Sequence, residues 1–258
     1  MTDDVRSLPL ALKTVFQDLF LLSFAVDPDR LNALLPAPIH PLMVDGRAFV
    51  SIVVGNMRGM RPALTPEVLG FRYYQIVYRA LVCLKGKDGQ VRPGVFFLRS
   101  DVNNPLVGFF GNQFTEFRFQ YYRTGMVNLF QRADDFLLSV ETEDKGGDLV
   151  FHLKDRGDAL QLPPQAGFSS VQEEKKTLVE LFHAFAYDEK SGQILDLEIE
   201  REEWNLRRLE CQDHFSAFFS ENPFTRTQAA PDSMLYIREC HYLWKPMVRF
   251  AVEDFELT

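Results

Sequence analysis

Apolar and polar positions along the chain recur mostly with a period of two, the spacing of a strand with one buried face. Gly94 to Asp101 alternates, placing Val95, Phe97, Arg99 and Asp101 on one face and Phe96, Leu98 and Ser100 on the other. Phe71 to Leu84 reads as a long strand, and Lys85 to Gln90 (KGKDGQ) as a hairpin turn that should fold the two segments antiparallel. From Phe114 the period is again two, with Glu116, Arg118 and Gln120 opposite Phe117, Phe119 and Tyr121. Leu19–Val26 and Arg47–Met57 are further strands, Phe136–Thr142 should pair with Leu149–Lys154, and Leu195–Glu200, Trp204–Glu210, Met234–Tyr242 and Met247–Phe255 complete the sheet.

Helical signals are few. Asp27 and Pro28 supply a cap and a first helical residue before Leu31, Leu34 and Leu35, and Asn104 with Pro105 does the same before Leu106, Phe109 and Phe110. Ser170 and Glu173 form a capping box, predicting a helix with Leu178, Leu181, Phe182 and Phe185 on its apolar stripe. A short helix is expected over Asp213–Glu221, carrying Phe215, Phe218 and Phe219. Many short strands with few helices point to one mainly β (α+β) domain over residues 1–258, a curved antiparallel sheet or barrel with peripheral helices.

Twenty-four Phe in 258 residues call for an extensive core or an apolar cavity. A net charge of -8 argues against binding nucleic acid. Cys83, Cys211 and Cys240 are odd in number and lack CxxC spacing, as expected for reduced thiols in the cytoplasm. The apolar run at Leu19–Val26 is too short for a membrane span. The expected partner is a small-molecule ligand, with a homodimer as the expected assembly.

Charged residues inside apolar strands form the candidate site. Arg79 and Arg99 each lie within an otherwise apolar strand, where an unpaired charge is costly. With Arg118, and with Gln75 four residues before Arg79, they could bind a carboxylate by bidentate guanidinium contacts. Glu116 would orient an arginine or act as a catalytic base, the alternative being a surface ion pair with Arg118. No histidine pair has metal-ligand spacing, so no metal or other cofactor is expected. There is no GxSxG elbow, no GxGxxG and no phosphate loop.

The order DPDRLNALLPAPI, DGRAFVSIVV, FRYYQIVYRALV, GVFFLRSD, LVELFHAF and EEWNLRRL resembles the acetoacetate-decarboxylase-like superfamily, in particular its uncharacterised bacterial branch. The resemblance implies that this sheet is a closed antiparallel β-barrel around a small-molecule cavity. The decarboxylase uses a lysine Schiff base as electron sink, with its lysine in a Tyr-Pro-Lys-Lys motif downstream of Gly-Arg-Glu. Here Gly111, Asn112 and Gln113 match the Gly-Arg-Glu position, and Phe117, Arg118, Phe119 and Gln120 stand where the lysines belong. The family's early arginine falls near Gln17, while His241 occupies a late position similar to that of a family histidine and is a further candidate ligand-binding residue, the alternative being a hydrogen-bonded core histidine. Imine chemistry is therefore not expected. If the protein is an enzyme, a lyase, hydratase or isomerase reaction without a Schiff base is implied; a non-catalytic carrier or sensor and a structural module with a filled barrel are the other readings.

Overall fold

The computed structural model describes residues 10–114, 121–221, 224 and 230–256. Thirteen strands form one sheet. In chain order they are β1 (Leu12–Val26), β2 (Ile39–Pro41), β3 (Ala48–Pro62), β4 (Phe71–Lys85), β5 (Val91–Val102), β6 (Tyr121–Arg132), β7 (Asp135–Thr142), β8 (Leu149–Asp158), β9 (His183–Asp188), β10 (Gln193–Arg201), β11 (Arg207–Ser216), β12 (Ala230–Trp244) and β13 (Val248–Ala251). The helices are short: α1 (Pro28–Asn32), α2 (Pro105–Phe114), α3 (Val171–Glu174) and α4 (Ala217–Glu221). Their caps follow the sequence, since the Asp27 side chain accepts from the Arg30 amide and Asn104 Oδ1 from the Leu106 amide.

The ladders return on themselves twice. β4 and β5 pair antiparallel across the Lys85–Val91 turn, and the pairings then run β5-β6-β7-β8-β11-β12-β1-β3-β4, a circuit of nine strands. A second circuit leaves β5 through β9 and β10 and rejoins at β12, where Ile199, Glu200 and Arg201 face Trp244, Leu243 and Tyr242. β1, β3, β4, β5 and β12 belong to both circuits and are buried on both faces. One face contributes to a cluster drawn from all nine strands and filled by Phe20, Phe24, Tyr78, Phe136 and Phe151. The other face contributes to a second cluster with β9 and β10 that includes Phe16, Leu21, Leu81, Val95 and Leu197.

Three expectations change. The pairings are not all antiparallel, because β5 runs parallel to both β6 and β9. The helix after Ser170 ends early: the Ser170 hydroxyl does accept from the Glu173 amide, but α3 gives way to a π-helical turn at Lys175–Val179, and Phe185 lies in a strand. His183–Asp188 pairs with β10 and meets β5, so ladder formation and burial outweigh the local helical spacing. Likewise β11 extends to Ser216, leaving only Ala217–Glu221 helical and Phe215 exposed.

The alternation of β5 also breaks. Tyr78 faces Arg99 but Arg79 faces Phe97, so one residue of β5, Leu98, has no partner. This bulge turns Arg99 and Asp101 away from the side that Val95 and Phe97 occupy. The expected Phe114–Arg123 strand is described only from Tyr121, and Glu116, Phe117, Arg118, Phe119 and Gln120 lie outside the described residues.

Close packing of β5 on β9 rests on Gly94. A Cβ there would lie 2.7 Å from the His183 carbonyl oxygen and 2.5 Å from the Phe185 ring. Gly94→Ala should cost about 1–3 kcal/mol, measured as a lowered denaturant midpoint at unchanged slope.

Candidate functional site

The second cluster is not completely filled. A cavity of about 60 Å3 lies within it, walled by apolar side chains such as Phe16, Leu21, Val95 and Phe97. The polar groups on its wall come from three strands: Gln75 and Arg79 on β4, Arg201 on β10 and Tyr242 on β12. Arg201 and Tyr242 are direct cross-strand partners in the short β10–β12 ladder, and so are the lining residues Ile199 and Trp244.

Both guanidiniums are anchored to the π-helical turn. Arg79 Nη2 donates to the Leu178 carbonyl at 3.0 Å, and Arg201 Nη2 donates to the next carbonyl, that of Val179. The Arg201 guanidinium also lies over the Trp204 ring at 3.8 Å. Among the described residues neither arginine has a carboxylate partner, and no acidic side chain lines the cavity. Desolvation pushes Arg79 down to about 10, and the charge of Arg201 acts in the same direction. Arg201 is likewise lowered by burial. The Tyr242 hydroxyl is raised, mainly by desolvation, and stays protonated as a donor. Gln75, buried, donates to Ser100 Oγ at 3.2 Å.

The residues singled out in the sequence are thus divided. Arg79 and Gln75 meet in the cavity. Arg99 is turned into the other core, where Nε and Nη2 donate to Asp101 at 2.9 Å each and Nη1 and Nη2 to Asp144 at 2.9 and 2.7 Å. His241 points away from Tyr242, as alternation requires. It is exposed, and its Nε2 lies 3.7 Å from Glu239 in a wider groove of about 470 Å3. Arg201 and Tyr242 line both the groove and the cavity. Glu116 and Arg118 lie outside the described residues. The sequence reading missed Arg201, Trp204 and Tyr242. Arg201 follows an acidic stretch (DLEIER) and reads locally as a surface residue; only the cross-strand pairing with an apolar segment would have flagged it.

Lysine is not part of this site. Lys245 bridges Glu198 and Glu200 at 2.8 and 2.7 Å, which raises its pKa rather than holding the amine neutral. Lys13 lies in the wider groove. Residues outside the described set contain no lysine at all. Among the described residues no group of three or more His, Cys, Asp or Glu is placed to hold a metal, and no helix is long and apolar enough to cross a membrane.

Two carboxylates share the single charge of Arg99, and the more buried one gives way. Desolvation pushes Asp101 up to about 6 despite its two bonds from Arg99, while the better solvated Asp144 is held below its usual range. Because the folded-state pKa of Asp101 is the higher one, its contribution is full below about pH 4 and is lost as pH rises through 6. Asp101→Asn should flatten the fall in stability between pH 4 and 7, read from denaturant titrations. Arg99→Met should cost about 3–5 kcal/mol, because it leaves the buried Asp101 carboxyl without its hydrogen-bond donors and counter-charge, so that it must take up a proton or stay ionised unpaired.

Comparison with known proteins places this geometry in context. Residues 13–241 match the model of the DUF2071 family, described as an uncharacterized conserved protein. A search of curated proteins finds no match. Among solved structures, an acetoacetate decarboxylase-like enzyme from Sphingomonas wittichii RW1 superposes with a TM-score of 0.58 at 12% identity, covering 97% of each chain. The acetoacetate decarboxylase of Legionella pneumophila gives 0.56 at 14% identity over 93% of this chain and 88% of the other. The enduracididine biosynthesis enzyme MppR, solved with pyruvate, gives 0.58 at 11% over 95% and 91%. At these identities the likeness is one of fold.

Proposed function

The chain belongs to the DUF2071 family and has the acetoacetate-decarboxylase-like fold, and we propose that it binds a small carboxylate-bearing organic molecule in the Arg79–Arg201 cavity, without lysine imine chemistry. The observation that carries this reading is the pair of desolvated guanidiniums with no carboxylate partner among the described residues. A buried cation without a counter-ion is costly, and an anionic ligand removes that cost. The apolar walls suit the carbon skeleton, and Gln75 and Tyr242 supply further polar contacts. In this reading the two circuits of pairing act as a closed barrel that keeps bulk water from the site, which strengthens each charge-assisted hydrogen bond.

MppR, which shares the fold, has been solved with pyruvate, a small carboxylate, and this agrees with a carboxylate ligand here. Acetoacetate decarboxylases also share the fold, yet no lysine lines this cavity, so their electron sink has no counterpart in it. Arg79, Arg201 and Tyr242 can fix a carboxylate and stabilise negative charge on a neighbouring oxygen. A carrier or sensor is favoured over proton-transfer catalysis by one observation: among the described lining residues there is no carboxylate or imidazole to act as base. The filled first core speaks for scaffold there, not in the second.

Butyrate should raise the thermal midpoint of the wild-type protein and titrate calorimetrically. Arg79→Met should abolish that binding while keeping its own midpoint near wild type; a large loss of stability would make Arg79 a structural residue instead. Borohydride reduction in the presence of a keto acid should leave the protein mass unchanged, and a stable lysine adduct would overturn the exclusion of imine chemistry.

A further inference from the structure

The cavity contains more donors, and more positive charge, than one carboxylate can satisfy. Among the described lining residues every charge is positive: Arg79 and Arg201 supply it, and Glu180, whose charge acts on Arg201, is not part of the lining. Three further N–H groups on lining residues, Arg79 Nε, Trp204 Nε1 and Trp244 Nε1, are buried without an acceptor among the described residues. Tyr242, kept protonated by burial, adds an O–H. A single carboxylate offers about four lone-pair positions and one negative charge. It would leave one guanidinium uncompensated in a desolvated site, and several donors unmet. The arrangement of the two arginines supports separate roles. They come from different strands, β4 and β10, and are held by successive carbonyls of one turn, so each presents its remaining N–H groups from its own position.

Size and wall chemistry narrow the ligand further. A cavity volume of about 60 Å3 holds roughly four to six waters, or the bulk of a chain of about four carbons with its end groups. The Val, Leu, Ile and Phe walls leave the middle of the ligand apolar. Resting on the carboxylate-site reading above, we infer that the ligand is a compact dicarboxylate, one carboxylate held by Arg79 and the other by Arg201 with Tyr242.

The experiment compares matched probes by calorimetry at one ionic strength and pH 7.5: succinate, succinamate (one carboxylate replaced by an amide), butyrate and inorganic sulfate. Succinate should bind about tenfold or more tighter than succinamate or butyrate, as a second charge-assisted contact in a desolvated site requires. Equal affinity for succinate and succinamate would overturn the dicarboxylate assignment and leave the carboxylate site standing. Sulfate binding as tightly as succinate would overturn it in favour of an inorganic dianion. Absence of binding by all four probes would overturn both readings. Arg201→Gln should reduce the preference for succinate over succinamate to about onefold while succinamate still binds, and Arg201→Lys, which keeps the charge and a donor for the Val179 carbonyl, should retain the preference. A preference unchanged in Arg201→Gln would remove Arg201 from the assignment.

Discussion

The short ladder between β10 and β12 is the constraint on which the cavity depends. Three residue pairs join the ends of two strands that otherwise pair elsewhere, and two of those pairs, Ile199–Trp244 and Arg201–Tyr242, supply cavity wall. Completing the second circuit of pairing and assembling the site are therefore one event. The π-helical turn at Lys175–Val179 contributes from the other side: its last carbonyls bind the guanidiniums, and its departure from α-helical geometry frees the chain to enter β9.

Five strands shared between two circuits must satisfy two packing problems at once. Even-numbered positions of β1 such as Phe20, Leu22 and Phe24 fill the first core, while Leu19 and Leu21 face the second. The first core uses its aromatic side chains as filler, with Tyr78 stacked on Phe218 at 4.4 Å and its hydroxyl donating to the Gly147 carbonyl. The second leaves a void lined by charge. Stability and binding are thereby assigned to opposite faces of the same strands, which is how a heavily aromatic chain can be both well packed and hollow.

The buried arginines show the same division. Arg99 is neutralised by Asp101 and Asp144, and Arg208 is held bidentate by buried Glu174 at 2.6 Å with Ser233 accepting a further bond. Those two carry their counter-ions within the chain. Among the described residues Arg79 and Arg201 find only a backbone carbonyl each as hydrogen-bond acceptor. A carbonyl dipole orients a guanidinium but does not cancel its charge, and the contrast within one protein is what separates structural arginines from ligand-binding ones.

Much of this was legible along the chain. Strands β4, β5, β7 and β8, the hairpin turn at Lys85–Gln90, the caps at Asp27 and Asn104, and the placement of Arg79 and Gln75 on one strand face all follow from local periodicity and turn chemistry, because strand alternation and capping are decided within a few residues. What local pattern could not decide was anything set by pairing between distant segments. The bulge at Leu98 reverses Arg99, and a one-residue slip is invisible to a period-two reading until its partner strand is known. The helical spacing after Ser170 loses to a ladder with β10, and Arg201, which reads locally as a surface residue, becomes cavity wall because Tyr242 lies opposite it. Residue identity determined which groups could carry charge into the interior; only the tertiary register decided which of them would meet there without a counter-ion.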